Sequence, residues 1–139
     1  DLSIGEERTL GPWPVTESDI VSFATDYDPL PFHTDPVAAA ETPHDGLIAS
    51  GLQTVCIANR LVVDGFRRDL AVIAGLEIEH MTWSKPVRPG AVLTVESKIL
   101  DKRLSESNPD NGIVRHEIRV FDQDDAEVLS YVEAMLVER

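Results

Sequence analysis

Residues 46–63 read Gly46-Leu47-Ile48-Ala49-Ser50-Gly51-Leu52-Gln53-Thr54-Val55-Cys56-Ile57-Ala58-Asn59-Arg60-Leu61-Val62-Val63, and this stretch decides the fold. It predicts the longest helix of the chain, beginning at Gly46. Its apolar residues Leu47, Ile48, Leu52, Val55, Ile57, Leu61 and Val62 fall on several faces instead of one stripe. A helix apolar nearly all round has to be buried nearly all round, so other elements must wrap it. The chain after Gly65 supplies them. Ala91, Leu93, Val95, Ser97 and Ile99 alternate with Val92, Thr94, Glu96 and Lys98, and Val114, His116, Ile118 and Val120 alternate with Arg115, Glu117, Arg119 and Phe121. That period of two predicts strands. Residues 71–82 and 127–137 give two more, and a short strand near Thr9 to Val15 completes the set. Pro86, Pro89 and Gly90, then Asn111-Gly112, then the acidic run 122–125 mark the turns. The expected fold is an α+β domain with an antiparallel sheet curved around one central helix. One such layer leaves an open edge and an apolar flank, which predicts a homodimer.

Upstream of the central helix, Thr16 is a good N-cap for a helix running to about Asp26, with Ile20, Val21, Phe23 and Ala24 as its apolar face. Asp28-Pro29-Leu30-Pro31-Phe32-His33 follows. Two prolines in three positions predict an extended loop there. Thr34 or Asp35 can cap a short helix with Pro36 in its first turn, and Thr42 to Gly46 reads as a second loop. There is no repeat, low-complexity tract or linker, so residues 1–139 are read as a single domain.

Composition narrows the partners. Of 139 residues, 42% are apolar and 27% charged, which is a globular balance and excludes disorder. A net charge of −13 repels a phosphate backbone and anionic lipid, so neither nucleic acid nor a membrane surface is expected as a partner. The longest charge-free stretch, Gly46 to Asn59, is too short to span a bilayer. No cationic, apolar leader opens the chain, although it starts at Asp1 without a Met, which leaves an upstream segment open. The one cysteine, Cys56, cannot form an intramolecular disulfide, and no Cys/His spacing suits a metal. A reduced, cytoplasmic location is expected. Residues 60–103 carry Arg60, Arg67, Arg68, Lys85, Arg88, Lys98, Lys102 and Arg103 against six acidic side chains, where phosphates of a small molecule could rest, or which form an ordinary mixed surface, since eight cations scattered over this stretch are not a cluster.

Two places could carry chemistry. Asp28 and His33, a carboxylate and an imidazole on a proline-stiffened segment, suit proton transfer on a small ligand. Equally, Asp28 can simply start a turn before Pro29 while His33 packs. Gly46, at the expected helix start, lacks a Cβ and would let a carbonyl oxygen approach first-turn N–H groups, or it would serve only as a hinge. Ser50 and Thr54 can reach a ligand at that end or satisfy backbone carbonyls. His44 beside Asp45 reads as a helix-start cap facing water, His80 and His116 as core or interface residues. Cys56 has no neighbour to activate it.

Asp28-x-x-Pro31-x-His33-x-Asp35-Pro36, then Gly46-Leu-Ile-Ala-Ser50-Gly, then Lys85-Pro-Val-Arg-Pro-Gly90 resemble the MaoC-like dehydratases, which include the (R)-specific enoyl-CoA hydratases. The resemblance runs in order from about Leu10 to the C-terminus. It implies the hot-dog fold, usually dimeric, and hydration of a trans-2-enoyl-CoA to an (R)-3-hydroxyacyl-CoA or the reverse. It further implies that Asp28 and His33 hold the water and exchange the α-carbon proton, and that the Gly46 N–H holds the thioester oxygen. Pro31, Phe32, Leu47, Ser50 and Arg88 are expected beside the substrate. Coenzyme A enters as part of the substrate, and no cofactor or metal is expected. Three positions depart from the usual motif: Leu30 stands where Asn is common, Tyr27 where Gly is, and Asp45 where His often precedes the helix glycine. A non-catalytic acyl-thioester-binding domain and a thioesterase are the other readings of the same fold.

Overall fold

The period-two segments pair into one five-stranded antiparallel sheet of order β1-β3-β4-β5-β2. The structure, a computed structural model, describes residues 2–139. In chain order its elements are β1 (Glu7–Pro14), α1 (Glu17–Tyr27), α2 (Pro31–Thr34), α3 (Pro36–Ala40), α4 (Gly51–Gly65), a 3-10 turn at Arg67–Asp69, β2 (Val72–Trp83), β3 (Val92–Leu104), β4 (Asn111–Phe121) and β5 (Glu127–Glu138). Leu93, Val95, Ser97 and Ile99 of β3 are buried, as are Val114, His116, Ile118 and Val120 of β4. Registers such as Val95 opposite Val120 and Ile99 opposite His116 put them on one face. Ile57, Ala58, Leu61 and Val62 of α4 join that core together with Leu129 and Tyr131 of β5. The starts of α1 and α3 are capped as their sequence dictates. Thr16 Oγ1 accepts from Asp19 N, and Asp35 Oδ1 accepts from Val37 N and Ala38 N.

Three local expectations need correction. The central helix starts at Gly51, not Gly46. Two N–H groups ahead of it are spent elsewhere: Ile48 donates to Phe32 O at 3.1 Å and Ala49 to Val87 O at 2.8 Å. Residues 47–50 therefore lie outside the helix, and Ser50 caps it by accepting from Leu52 N. Secondly, Pro31–Thr34 forms one helical turn instead of an extended loop. Pro31 occupies the first helical position, where its missing N–H costs nothing and its fixed φ favours the turn. Thirdly, α4 is not buried all round. Cys56, Asn59 and Arg60 are exposed, and Leu52 is 51% exposed. Among the described residues no helix is long and apolar enough to cross a membrane.

Candidate active site

Asp28 ends α1, its backbone N–H donating to Ala24 O at 2.8 Å. The turn of α2 then carries His33 back over it. His33 Nδ1 lies 2.7 Å from the carbonyl oxygen of Ile48. A carbonyl only accepts, so Nδ1 bears the hydrogen and Nε2 is left facing Asp28 Oδ2 at 3.4 Å. Ser50 Oγ donates to the same Oδ2 at 2.7 Å. The three side chains thus come from the end of α1, from α2 and from the N-cap of α4. The His33 side chain is only 7% exposed and is braced by an edge-on contact with Phe32, centroids 4.5 Å apart. The Asp28 side chain remains 27% exposed. A fixed imidazole and a reachable carboxylate, too far apart for a strong direct hydrogen bond, are arranged to share a water or a substrate proton.

Both groups open onto a cavity of about 460 Å³. One wall is Asp28, His33, the segment Ile48–Leu52 and Thr54, and the other is Trp83–Val87. Lys85 lies on this second wall, but its Nζ donates to Asp122 Oδ2 at 2.6 Å. That bond raises the lysine above its ordinary pKa and lowers the aspartate, whose other oxygen accepts from Asp124 N and Ala126 N. The lysine's charge is thereby matched within the protein.

Of the residues expected at the site, the structure brings together Asp28, His33 and Ser50. Gly46 lies off the cavity walls at φ +136°, and its N–H donates to Ala39 O at 3.1 Å. Pro31 starts α2, Phe32 backs His33, and Leu47 is buried in the core, none of them in the walls. Arg88 is also outside the walls and donates through Nη2 to His44 O, tying the loop 42–46 to the β2–β3 connection. Asp45 and Leu30 do not line the cavity either. His116 is fully buried as expected of a core residue, whereas the side chain of His80 is 80% exposed. Sequence reasoning missed Trp83 and Gly51. The indole lies on Gly51 so closely that a Cβ there would come within 2.5 Å of Nε1. The signal was the glycine directly after Ser50, a residue type with no business in a helix unless something presses on it.

A family described as MaoC like domain matches residues 2–120. The chain belongs to this family. Among curated proteins it is similar to the uncharacterized protein YdeM of Bacillus subtilis (strain 168), with 32% identity over 140 residues, covering 100% of this chain and 97% of that one. Among solved structures it is similar to the MaoC-like dehydratase from Rhodospirillum rubrum, at 34% identity and a TM-score of 0.90, covering 99% of this chain and 94% of that chain. The (R)-hydratase from A. caviae involved in PHA biosynthesis shares its fold, at 21% identity and a TM-score of 0.78 over 96% of both chains. The sheet wrapped on α4 is therefore the hot-dog fold, and this MaoC-like chain is at family level a hydratase or dehydratase.

Proposed function

We propose that the protein interconverts a trans-2-enoyl-CoA and water with an (R)-3-hydroxyacyl-CoA. The observation that carries this reading is the convergence of Asp28, His33 and Ser50 on one cavity. In the hydration direction a water sits between Asp28 and Nε2 of His33. Its oxygen bonds to the β-carbon, one of its protons passes to the pair, and the pair delivers a proton to the α-carbon. Charge collects meanwhile on the thioester oxygen. Stabilising that enolate is the larger part of the work, because the α-proton is weakly acidic. The N–H expected for the task, that of Gly46, is engaged by Ala39 O. The N–H of Gly51 is the donor we assign in its place. It opens α4, lines the cavity and has no acceptor among the described residues. Ser50 holds Asp28 by a hydroxyl, which leaves the carboxylate its negative charge.

A strongly acidic surface suits coenzyme A better than an acidic carrier protein as the acyl carrier. A second copy of the chain is the partner we assign to β2. This strand is an edge of the sheet and exposes Ile73, Leu76 and Ile78 by half or more, an apolar edge that isolated proteins avoid. Sedimentation of the wild type as a dimer and of Ile78→Glu as a monomer would bear this out.

The decisive experiment for the activity is loss of enoyl-thioester absorbance on a panel of trans-2-enoyl-CoAs, with Asp28→Asn and His33→Ala alongside. Turnover by the wild type that vanishes in both folded variants is expected. Tight acyl-CoA binding with no turnover on any chain would replace hydration by a binding role, and release of free thiol with the chromophore intact would replace it by thioester hydrolysis.

A further inference from the structure

The two cavity walls are tied to each other twice, and the two ties differ in kind. At one end Ala49 N–H donates to Val87 O at 2.8 Å, backbone to backbone. At the other, Trp83 Nε1–H donates to Gly51 O at 3.0 Å. The second tie is a side chain packed against the first residue of α4, and it fits only because residue 51 has no Cβ. An added Cβ would stand 2.5 Å from Nε1, 2.8 Å from Cε2 and 3.0 Å from Cδ1. Gly51 does not occupy the left-handed region of φ, so its own backbone imposes no need for glycine. The need comes from the indole.

We infer that Trp83 is the specificity residue that sets the length of the acyl group, acting as a side-chain strut across one end of the cavity. This rests on the reading of the site as an acyl-thioester site. The thioester carbonyl has to lie beside Asp28 and His33, so the acyl chain runs between the walls toward one of the two ties. The Ala49–Val87 tie is backbone and cannot be removed by changing a side chain. The Trp83 tie is made by one indole, on a residue that lines the cavity and is 48% exposed, and therefore not locked into the core.

The test uses binding of saturated acyl-CoAs from butanoyl to dodecanoyl, measured by calorimetry, so that it does not depend on turnover. For the wild type, affinity should rise with chain length and then stop where the acyl end meets the indole. In Trp83→Ala it should keep rising past that length by about fourfold per added methylene, the value of burying one more CH₂. Trp83→Phe should fall between the two. Gly51→Ala, which leaves the tryptophan in the sequence but gives it no seat, should lengthen the cut-off as Trp83→Ala does. A wild-type cut-off unchanged in both Trp83→Ala and Gly51→Ala would overturn the strut while leaving the acyl-thioester site in place. Absence of wild-type affinity for every acyl-CoA would overturn the site reading and the strut with it.

Discussion

Two of the molecule's histidine–carboxylate pairs have almost the same separation and opposite character. At the cavity, Nε2 of His33 stands 3.4 Å from Asp28; at the far end of α4, Nε2 of His116 stands 3.3 Å from Glu133. The difference lies in the third partner and in access. Asp28 is held by a neutral hydroxyl, from Ser50, and its side chain is 27% exposed into a cavity. Glu133 is gripped by the Arg67 guanidinium at 2.7 Å, and Arg67 is itself anchored on Asn59. His116 has no exposed surface, and Phe66 covers it edge-on. Burial pushes the Glu133 carboxyl upward, but His116 and Arg67 outweigh it and hold the group below the usual glutamate range. A pair with its charge matched by a guanidinium and largely withdrawn from solvent holds β4, β5 and the turn after α4 together. A pair with an unmatched charge facing a cavity can exchange protons with a ligand. Separation alone does not distinguish them.

The largest effect that would break this comparison is on turnover. Asp28→Asn should lower kcat for hydration by about 10²–10⁴, the range for losing an acid–base group, with a melting temperature close to wild type. Glu133→Gln should do the reverse. Leaving Arg67 buried without its carboxylate costs about 3–5 kcal/mol, so thermal melting should show a large drop while kcat measured well below the melt stays near wild type. Comparable losses of activity in both variants would erase the distinction.

A smaller effect sharpens the role of Ser50. Ser50→Ala removes both the hydrogen bond to Asp28 and the cap of α4. Melting should report about 1 kcal/mol from the lost cap. Steady-state kinetics should show kcat falling by about tenfold, as loss of one hydrogen bond of about 1.4 kcal/mol to a charged group implies, with KM little changed.

The smallest effect is in acid. The folded-state pKa values of Glu133 and Asp122 are both depressed, so the stability they contribute is present above the ordinary carboxylate pKa and is lost as pH falls through their lowered values. The wild-type melting temperature should therefore decline as pH drops below about 4, and Glu133→Gln should decline less steeply over the same interval. Equal slopes would mean that Glu133 titrates as an ordinary surface carboxylate.

Much of the fold was legible because it is written in periodicity. Strands β3 and β4 follow from alternation, and the central helix follows from a long apolar run. The start of that helix was not legible. Leu47 and Ala49 favour a helix, and only long-range bonds, from Ile48 to Phe32 and from Ala49 to Val87, draw this segment out of it. The same blindness misplaced Gly46, since spacing could not show that its N–H goes to Ala39. Asp28, His33 and Ser50 were readable as residue types in a motif, and their meeting required the turn at Pro31. Trp83 was silent because an aromatic at a strand end reads as packing until the glycine beneath it is seen in space. Leu52 on the outer face of α4 and Ile73, Leu76 and Ile78 on the edge β2 stay exposed in one chain, which is why a rule equating apolar with buried overreached there.

The most direct test of the proton-transfer pair is hydration of a short trans-2-enoyl-CoA in D₂O, with the product analysed by mass spectrometry for wild type, Asp28→Asn, His33→Ala and Glu133→Gln. Wild type and Glu133→Gln should give 3-hydroxyacyl-CoA carrying one carbon-bound deuterium, at the α-carbon, while the two cavity variants, still folded, give none. Labelled product from Asp28→Asn at the wild-type rate, or its loss from Glu133→Gln as complete as from Asp28→Asn, would contradict the assignment of catalysis to Asp28 and His33.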